Sequence, residues 1–290
     1  MLWKTTHRTL ELPGVPLLMG VLNVTPDSFS DGGRWMKIEN AVAHGLQMIR
    51  EGAQIIDIGG ESSRPGALPV TESEELQRVL PVVEELRKTS DVLLSIDTAK
   101  PTVAARAIAK GADIINDIGG LQSAAMRELL VRSGAGVVCM HMQGSPETMQ
   151  NAPVYRDVVL EVRDFFEQTL SRCLQEGMTS DQIVFDPGIG FGKTAFHNFL
   201  LLRNLKRLEA GGRPLALGVS RKSFLMEATG VASMNERLWP TIAISTYAFD
   251  QQISVLRVHE VAPNAAALRV RALIAGAGRA HDHSREFCAS

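Results

Sequence analysis

Eight times along this chain a short apolar run gives way to a longer amphipathic stretch, and no other feature restricts the fold as tightly. The apolar runs cover residues 17–24, 54–59, 92–97, 114–117, 136–141, 183–186, 215–220 and 254–259. Each has strand length, and the run from Leu17 to Leu22 is apolar almost without interruption, the pattern of a strand buried on both faces. Helical periodicity follows at 37–51, 71–89, 101–110, 122–134, 155–177, 196–210, 235–251 and 263–276, several preceded by Pro, Ser, Thr or Asn and followed by Gly. Thr71 with Glu74 has the spacing of a capping box. Strictly alternating strands and helices imply parallel strands joined by helical crossovers. Eight such units imply closure into an α/β (β/α)8 TIM barrel, with an open doubly wound sheet as the alternative. Residues 1–290 read as one domain, with a short N-terminal segment 1–16 containing Pro13 and Pro16 and a polar tail 279–290.

Composition narrows what such a barrel does. A net charge of −2 and a pI near 6.4 give no general drive towards nucleic acid, so anion binding has to come from local placement of cations. No apolar run approaches membrane-spanning length. Cys139, Cys173 and Cys288 have neither zinc-site nor disulfide-frame spacing, which fits a reducing, cytoplasmic location.

The ends of the apolar runs carry the chemistry. In order they deliver Asn23, Asp57 with Glu61, Asp97, Asn116 with Asp117, His141, Asp186, Lys222 and the pair Arg257/His259. In a barrel these ends converge on one face, where the βα loops build the site. Any single member has a bland reading as a cap, and Asp57 and Asp117 in particular suit local backbone bonds. Asp97, Asn116 and Asp186 suit a flat heterocycle whose edge offers several N–H donors. Arg257 and His259, two apart on a strand, project from one face and can share one anion, with Lys222 beside them. The competing reading is a salt bridge to a glutamate such as Glu260. Between Asp186 and Lys193 three glycines fall in five residues, fit either to cradle a phosphate or to lie close over a flat ligand. Two further loops read as binding loops. One is 23–33, with turn formers around Phe29; the other is 60–66, with Ser62, Ser63 and Arg64. Neither a metal-binding His/Cys cluster nor a nucleophile–base pair stands out.

Taken together, NVTPDSFSDGG at 23–33, IDIGGESSRPGA at 56–67, SIDT at 95–98, NDIGG at 116–120, MHMQG at 140–144, DPGIGFGK at 186–193, SRKSF at 220–224 and RVHE at 257–260 resemble the dihydropteroate synthase family. The resemblance implies a cytoplasmic, homodimeric barrel enzyme of folate biosynthesis. Such an enzyme condenses 6-hydroxymethyl-7,8-dihydropterin diphosphate with 4-aminobenzoate, releases pyrophosphate and uses Mg2+. Motif by motif, it implies that Asp97, Asn116, Asp186 and Lys222 hold the pterin and that Asn23, Arg257 and His259 hold the diphosphate, with Asn23 also a metal ligand. The catalytic set is then Asn23, Lys222, Arg257 and His259. Phe29, Ser63, Arg64, Phe191 and Ser220 shape the 4-aminobenzoate site. Two positions depart from the family pattern. Ser63 stands where threonine is usual, close to the amine site, and Glu260 stands where aspartate is usual, a change expected to affect only the start of the last helix. Three alternatives remain: a catalytically silent pterin-binding paralogue, a methyltetrahydrofolate:corrinoid methyltransferase-like enzyme, which has no use for the diphosphate set, and a barrel whose strand-end polar groups are purely structural.

Overall fold

The computed structural model describes residues 1–12, 14–25, 34–62, 67, 69–230, 233 and 235–276, with the backbone alone at 34–37. Phe29, Ser63, Arg64 and the tail 279–290 lie outside the described residues. The chain opens with an antiparallel pair, β1 (Leu2–Lys4) and β2 (Thr9–Glu11). The parallel strands follow as β3 (Leu17–Asn23), β4 (Ile55–Gly59), β5 (Leu93–Asp97), β6 (Ile114–Asp117), β7 (Gly136–Met140), β8 (Ile183–Asp186), β9 (Ala216–Gly218) and β10 (Val255–Val258). Their order in the sheet is β8-β7-β6-β5-β4-β3-β10-β9. A parallel bridge between Phe185 and Leu215 brings the two ends together, so the sheet curls into a barrel as the eightfold repeat requires.

Helices α1 (Arg34–Arg50), α2 (Glu72–Thr89), α3 (Pro101–Ala109), α4 (Ala124–Ser133), α5 (Val158–Gln175), α6 (Ala195–Arg203), α7 (Phe224–Thr229), α8 (Leu238–Asp250) and α9 (Val261–Ile274) surround the strands. Their boundaries follow local chemistry. Thr71 and Glu74 form the expected capping box, and Asp157 caps α5, so that helix starts at Val158 and not near 155. The single helix expected over 196–210 breaks at Asn204 into α6 and a 3-10 turn, Leu205–Leu208. Short α7, within the stretch after β9, was not expected, because six residues are too few to show a helical period.

Two apolar layers stabilise the fold. One lies between strands and helices and includes Leu18, Ile56, Ile58, Leu94, Ile96, Ile115, Val137, Phe185 and Leu217. The other fills the lower barrel with one side chain from each strand: Met19, Ile55, Leu93, Ile114, Val138, Val184, Ala216 and Val255. Trp3 of β1 plugs this layer from below, fully buried, with its indole N–H donating to the Gln182 carbonyl at 3.1 Å. The N-terminal segment therefore closes the barrel floor, which its charges and prolines did not announce.

Candidate functional site

Side chains alternate between the two faces of a strand. The residue that fills the lower barrel therefore fixes which later residues point inward. Met19 puts Val21 and Asn23 inside, Ile55 puts Asp57 and Gly59 inside, and Leu93 does the same for Ser95 and Asp97. By the same parity Ile114 selects Asn116, Val184 selects Asp186, and Val255 selects Arg257. Strand register then levels the tops, since Asn23 pairs with Gly59, Gly59 with Asp97, and Asp97 with Asn116. The upper barrel interior is polar for the same geometric reason that its lower interior is apolar.

These groups bond to one another. Arg257 donates from Nε to Asp57 Oδ2 at 2.6 Å and from Nη2 to Asp97 Oδ2 at 2.9 Å. Asn116 Nδ2 donates to the same Asp57 oxygen at 3.0 Å. Asp57 Oδ1 and Ser95 Oγ are buried with no protein partner among the described residues, leaving acceptors for a ligand's donors. Burial pushes the Asp97 carboxyl up to about 7, against the pull of the Arg257 charge and helped by Asp57. The Asp186 carboxyl is also raised, chiefly by burial, with Lys222 opposing. Burial lowers the Lys222 ammonium to about 8.

Sequence reasoning missed the part played by Asp57: a carboxylate inside an apolar strand run was the available signal, and here it fastens Asn116 and Arg257 rather than local backbone. Asp117 follows the bland reading. Its parity points it out of the barrel, where it accepts from the Gly119 and Leu121 backbone N–H groups at 2.8 and 2.9 Å.

The anion set is drawn together only in part. Asn23 and His259 border one cavity of about 530 Å³ lined by β3, α1 and the start of α9, along with Arg221 and Glu260. His259 is just past the end of β10, and Ser220 Oγ accepts from its backbone N–H at 3.2 Å and lies 3.0 Å from its Nδ1. Ser220 therefore sits against a member of the anion set. Arg257 is turned to the acids of the barrel centre instead. The anticipated bridge to Glu260 is made by Arg221, from Nε at 2.5 Å. This corrects the expectation for Glu260, whose side chain makes no cap bond at the start of α9 and spans to the β9 loop.

Lys222 and Phe191 come together from different loops, with the Lys222 ammonium 4.4 Å from the centre of the Phe191 ring and donating to the Ile189 carbonyl. His141 is buried and reaches Lys193 Nζ through Nδ1 at 2.9 Å, and burial drives its imidazole down to about 3. Among the described residues no group of three His, Cys, Asp or Glu could hold a metal ion. No helix among them is long and apolar enough to cross a membrane.

Comparison with known proteins bears on this arrangement. The family model described as pterin binding enzyme matches residues 19–259. Dihydropteroate synthase of Escherichia coli (strain K12) is 46% identical over 255 residues, 88% of this chain and 90% of the relative. The solved structure of Xanthomonas albilineans dihydropteroate synthase with 4-aminobenzoic acid superposes with a TM-score of 0.88 at 40% identity, covering 95% of this chain and 99% of that one. The same enzyme in complex with 7,8-dihydropteroate gives a TM-score of 0.85 at 39% identity, covering 94% and 98%.

Proposed function

This chain belongs to the dihydropteroate synthase family of pterin-binding enzymes, and on that premise we propose that it joins 4-aminobenzoate to 6-hydroxymethyl-7,8-dihydropterin diphosphate in folate biosynthesis, giving 7,8-dihydropteroate and pyrophosphate. The observation that carries the proposal is the inward register that levels Asp97 and Asn116 in the barrel mouth and turns Asp186 to the same interior, while Asn23 and His259 line one cavity. Asp97, Asn116 and Asp186 hold the pterin by accepting from ring N–H donors, and Lys222 donates to the ring and braces it from the loop after β9. Asn23, His259 and Arg257 hold the diphosphate. Arg257 is the link between the two sets: it is paired with Asp57 and Asp97, and an incoming phosphate competes for the same guanidinium.

The chemistry asks little of a general base. An aromatic amine carries a free lone pair at neutral pH and needs no base to attack. The methylene C–O bond breaks with its electrons leaving on the diphosphate, and the electron-rich dihydropterin spreads the positive charge left behind. The amine nitrogen then forms the new C–N bond and releases its proton to solvent. The cost lies in the leaving group, where cations aimed at developing negative charge lower the barrier. Phe191 and Ser220, with Phe29, Ser63 and Arg64, shape the 4-aminobenzoate site.

The donors present suit Mg2+, which keeps several waters and needs only one or two protein oxygens beside substrate phosphates. Asn23 would supply such an oxygen, and a bound Mg2+ would offset diphosphate charge. For the location we propose the cytoplasm, in keeping with the buried free thiols Cys139 and Cys173.

Phe196 and Phe199 on α6 and Trp239 and Tyr247 on α8 are exposed, and Tyr247 Oη donates to the Leu202 carbonyl, which brings the two helices side by side. We assign this face to a second copy of the chain. Trp239→Glu should convert a dimer to a monomer in analytical ultracentrifugation, and an unchanged sedimentation coefficient would refute the assignment.

The catalytic proposal is tested by pyrophosphate release from the pterin diphosphate with Mg2+, with and without 4-aminobenzoate. Release that requires the amine and yields dihydropteroate supports it. Pterin binding without condensation rejects it in favour of a silent paralogue.

A further inference from the structure

The loop from Gly188 to Gly192 is fastened through every one of its backbone carbonyls. Gly188 and Phe191 O accept from Lys193 Nζ at 3.0 and 2.9 Å, Ile189 O from Lys222, Gly190 O from Gln150 Nε2 at 2.7 Å, and Gly192 O from Tyr155 Oη at 2.9 Å. The glycines make this possible. Gly188 has φ +64°, and a Cβ there would collide with the His141 carbonyl oxygen; Gly192 has φ +62°, and its Cβ would meet Gln143 O at 2.5 Å. The loop therefore lies directly on the segment following β7. Lys193 is the pin, 3% exposed, with its Nζ also in reach of His141 Nδ1 at 2.9 Å and His141 O at 3.3 Å. Burial lowers the Lys193 pKa well below the ordinary lysine range, and a buried amine is costly unless its protons have acceptors, so these contacts hold the loop to one geometry.

We propose that Lys193 is a positioning residue for the amine substrate, fixing through the Gly188 and Phe191 carbonyls where the Phe191 ring stands relative to Lys222. It touches neither substrate itself. The inference rests on the assignment of Phe191 to the 4-aminobenzoate site, and the two fail in different ways. If wild-type protein shows no amine-dependent turnover, the reaction assignment falls. If it turns over normally and the variants below behave otherwise than described, only the role of Lys193 falls.

The test is steady-state kinetics on Lys193→Met, Phe191→Ala and the double variant, together with calorimetric binding of the free hydroxymethyl dihydropterin. Lys193→Met should raise KM for 4-aminobenzoate about ten-fold or more, while KM for the pterin diphosphate and binding of the free pterin stay within about two-fold. Because both single changes disturb the same ring, the double variant should be no worse than Phe191→Ala alone. Tyr155→Phe, which frees Gly192 O on the opposite side of the loop, should give the same split with a smaller amplitude, and it decides the matter if Lys193→Met does not fold. Equal losses for both substrates, or effects of Lys193→Met and Phe191→Ala that multiply, would overturn the proposal.

Discussion

The lower and upper halves of the barrel interior are built by one rule and serve opposite ends. Eight strands send Met19, Ile55, Leu93, Ile114, Val138, Val184, Ala216 and Val255 into the floor, sealed by Trp3. Two or four residues on, six of these strands send Asn23, Asp57, Asp97, Asn116, Asp186 and Arg257 into the mouth. The floor is dry and gains stability from burial. The mouth holds carboxylates whose pKa values burial has raised, and an acceptor, Asp57 Oδ1, with no partner among the described residues, so it is organised for a ligand at the expense of stability.

That contrast breaks most easily from below. Trp3→Ala should cost about 3–5 kcal/mol of folding stability by opening a cavity under the floor, with KM for both substrates unchanged in the folded fraction. Chemical denaturation and kinetics on one preparation check this; a selective loss of activity at full stability would erase the distinction between the halves.

From above the expectation reverses. Asp186→Asn should cost about 2–4 kcal/mol in kcat/KM, because a charged acceptor facing ring donors is lost, while thermal unfolding of the ligand-free protein stays put or rises. Near-normal turnover would remove Asp186 from the pterin site.

A smaller effect sharpens the same point through pH. The Asp97 carboxyl is raised from 3.8 to about 7, so the native state holds a proton that the unfolded chain has released. Its contribution to stability is full below pH 3.8 and is lost as pH rises through about 7. The stability of wild type relative to Asp97→Asn should therefore fall across that window, as read from urea midpoints at a series of pH values. A flat or rising difference would mean that Arg257 keeps Asp97 ionised throughout.

How much of this was legible in the sequence follows from the same geometry. Alternation and strand length gave the barrel, and strand-end position gave the ring, because both are periodic properties of the chain. Asp57 and Lys193 escaped, since what they hold is far away in sequence: Asp57 reaches Asn116 and Arg257, and Lys193 reaches His141. The same holds for the Glu260–Arg221 pair, which joins the ends of two neighbouring strands, and for Trp3, whose partner carbonyl belongs to Gln182. Residue type announced Arg257 as an anion ligand. Only the strand register, which pairs it with Met19 on one side and Gly218 on the other, reveals that two carboxylates already claim it.

The central claim is that the mouth divides into a ring-binding set and an anion-binding set linked by Arg257. Its most direct test compares binding of dihydropterin diphosphate and of free hydroxymethyl dihydropterin to wild type, Asp186→Asn and Arg257→Ala. Asp186→Asn should weaken both ligands alike, and Arg257→Ala should weaken the diphosphate much more than the free pterin. Equal weakening of both ligands by Arg257→Ala would contradict the division.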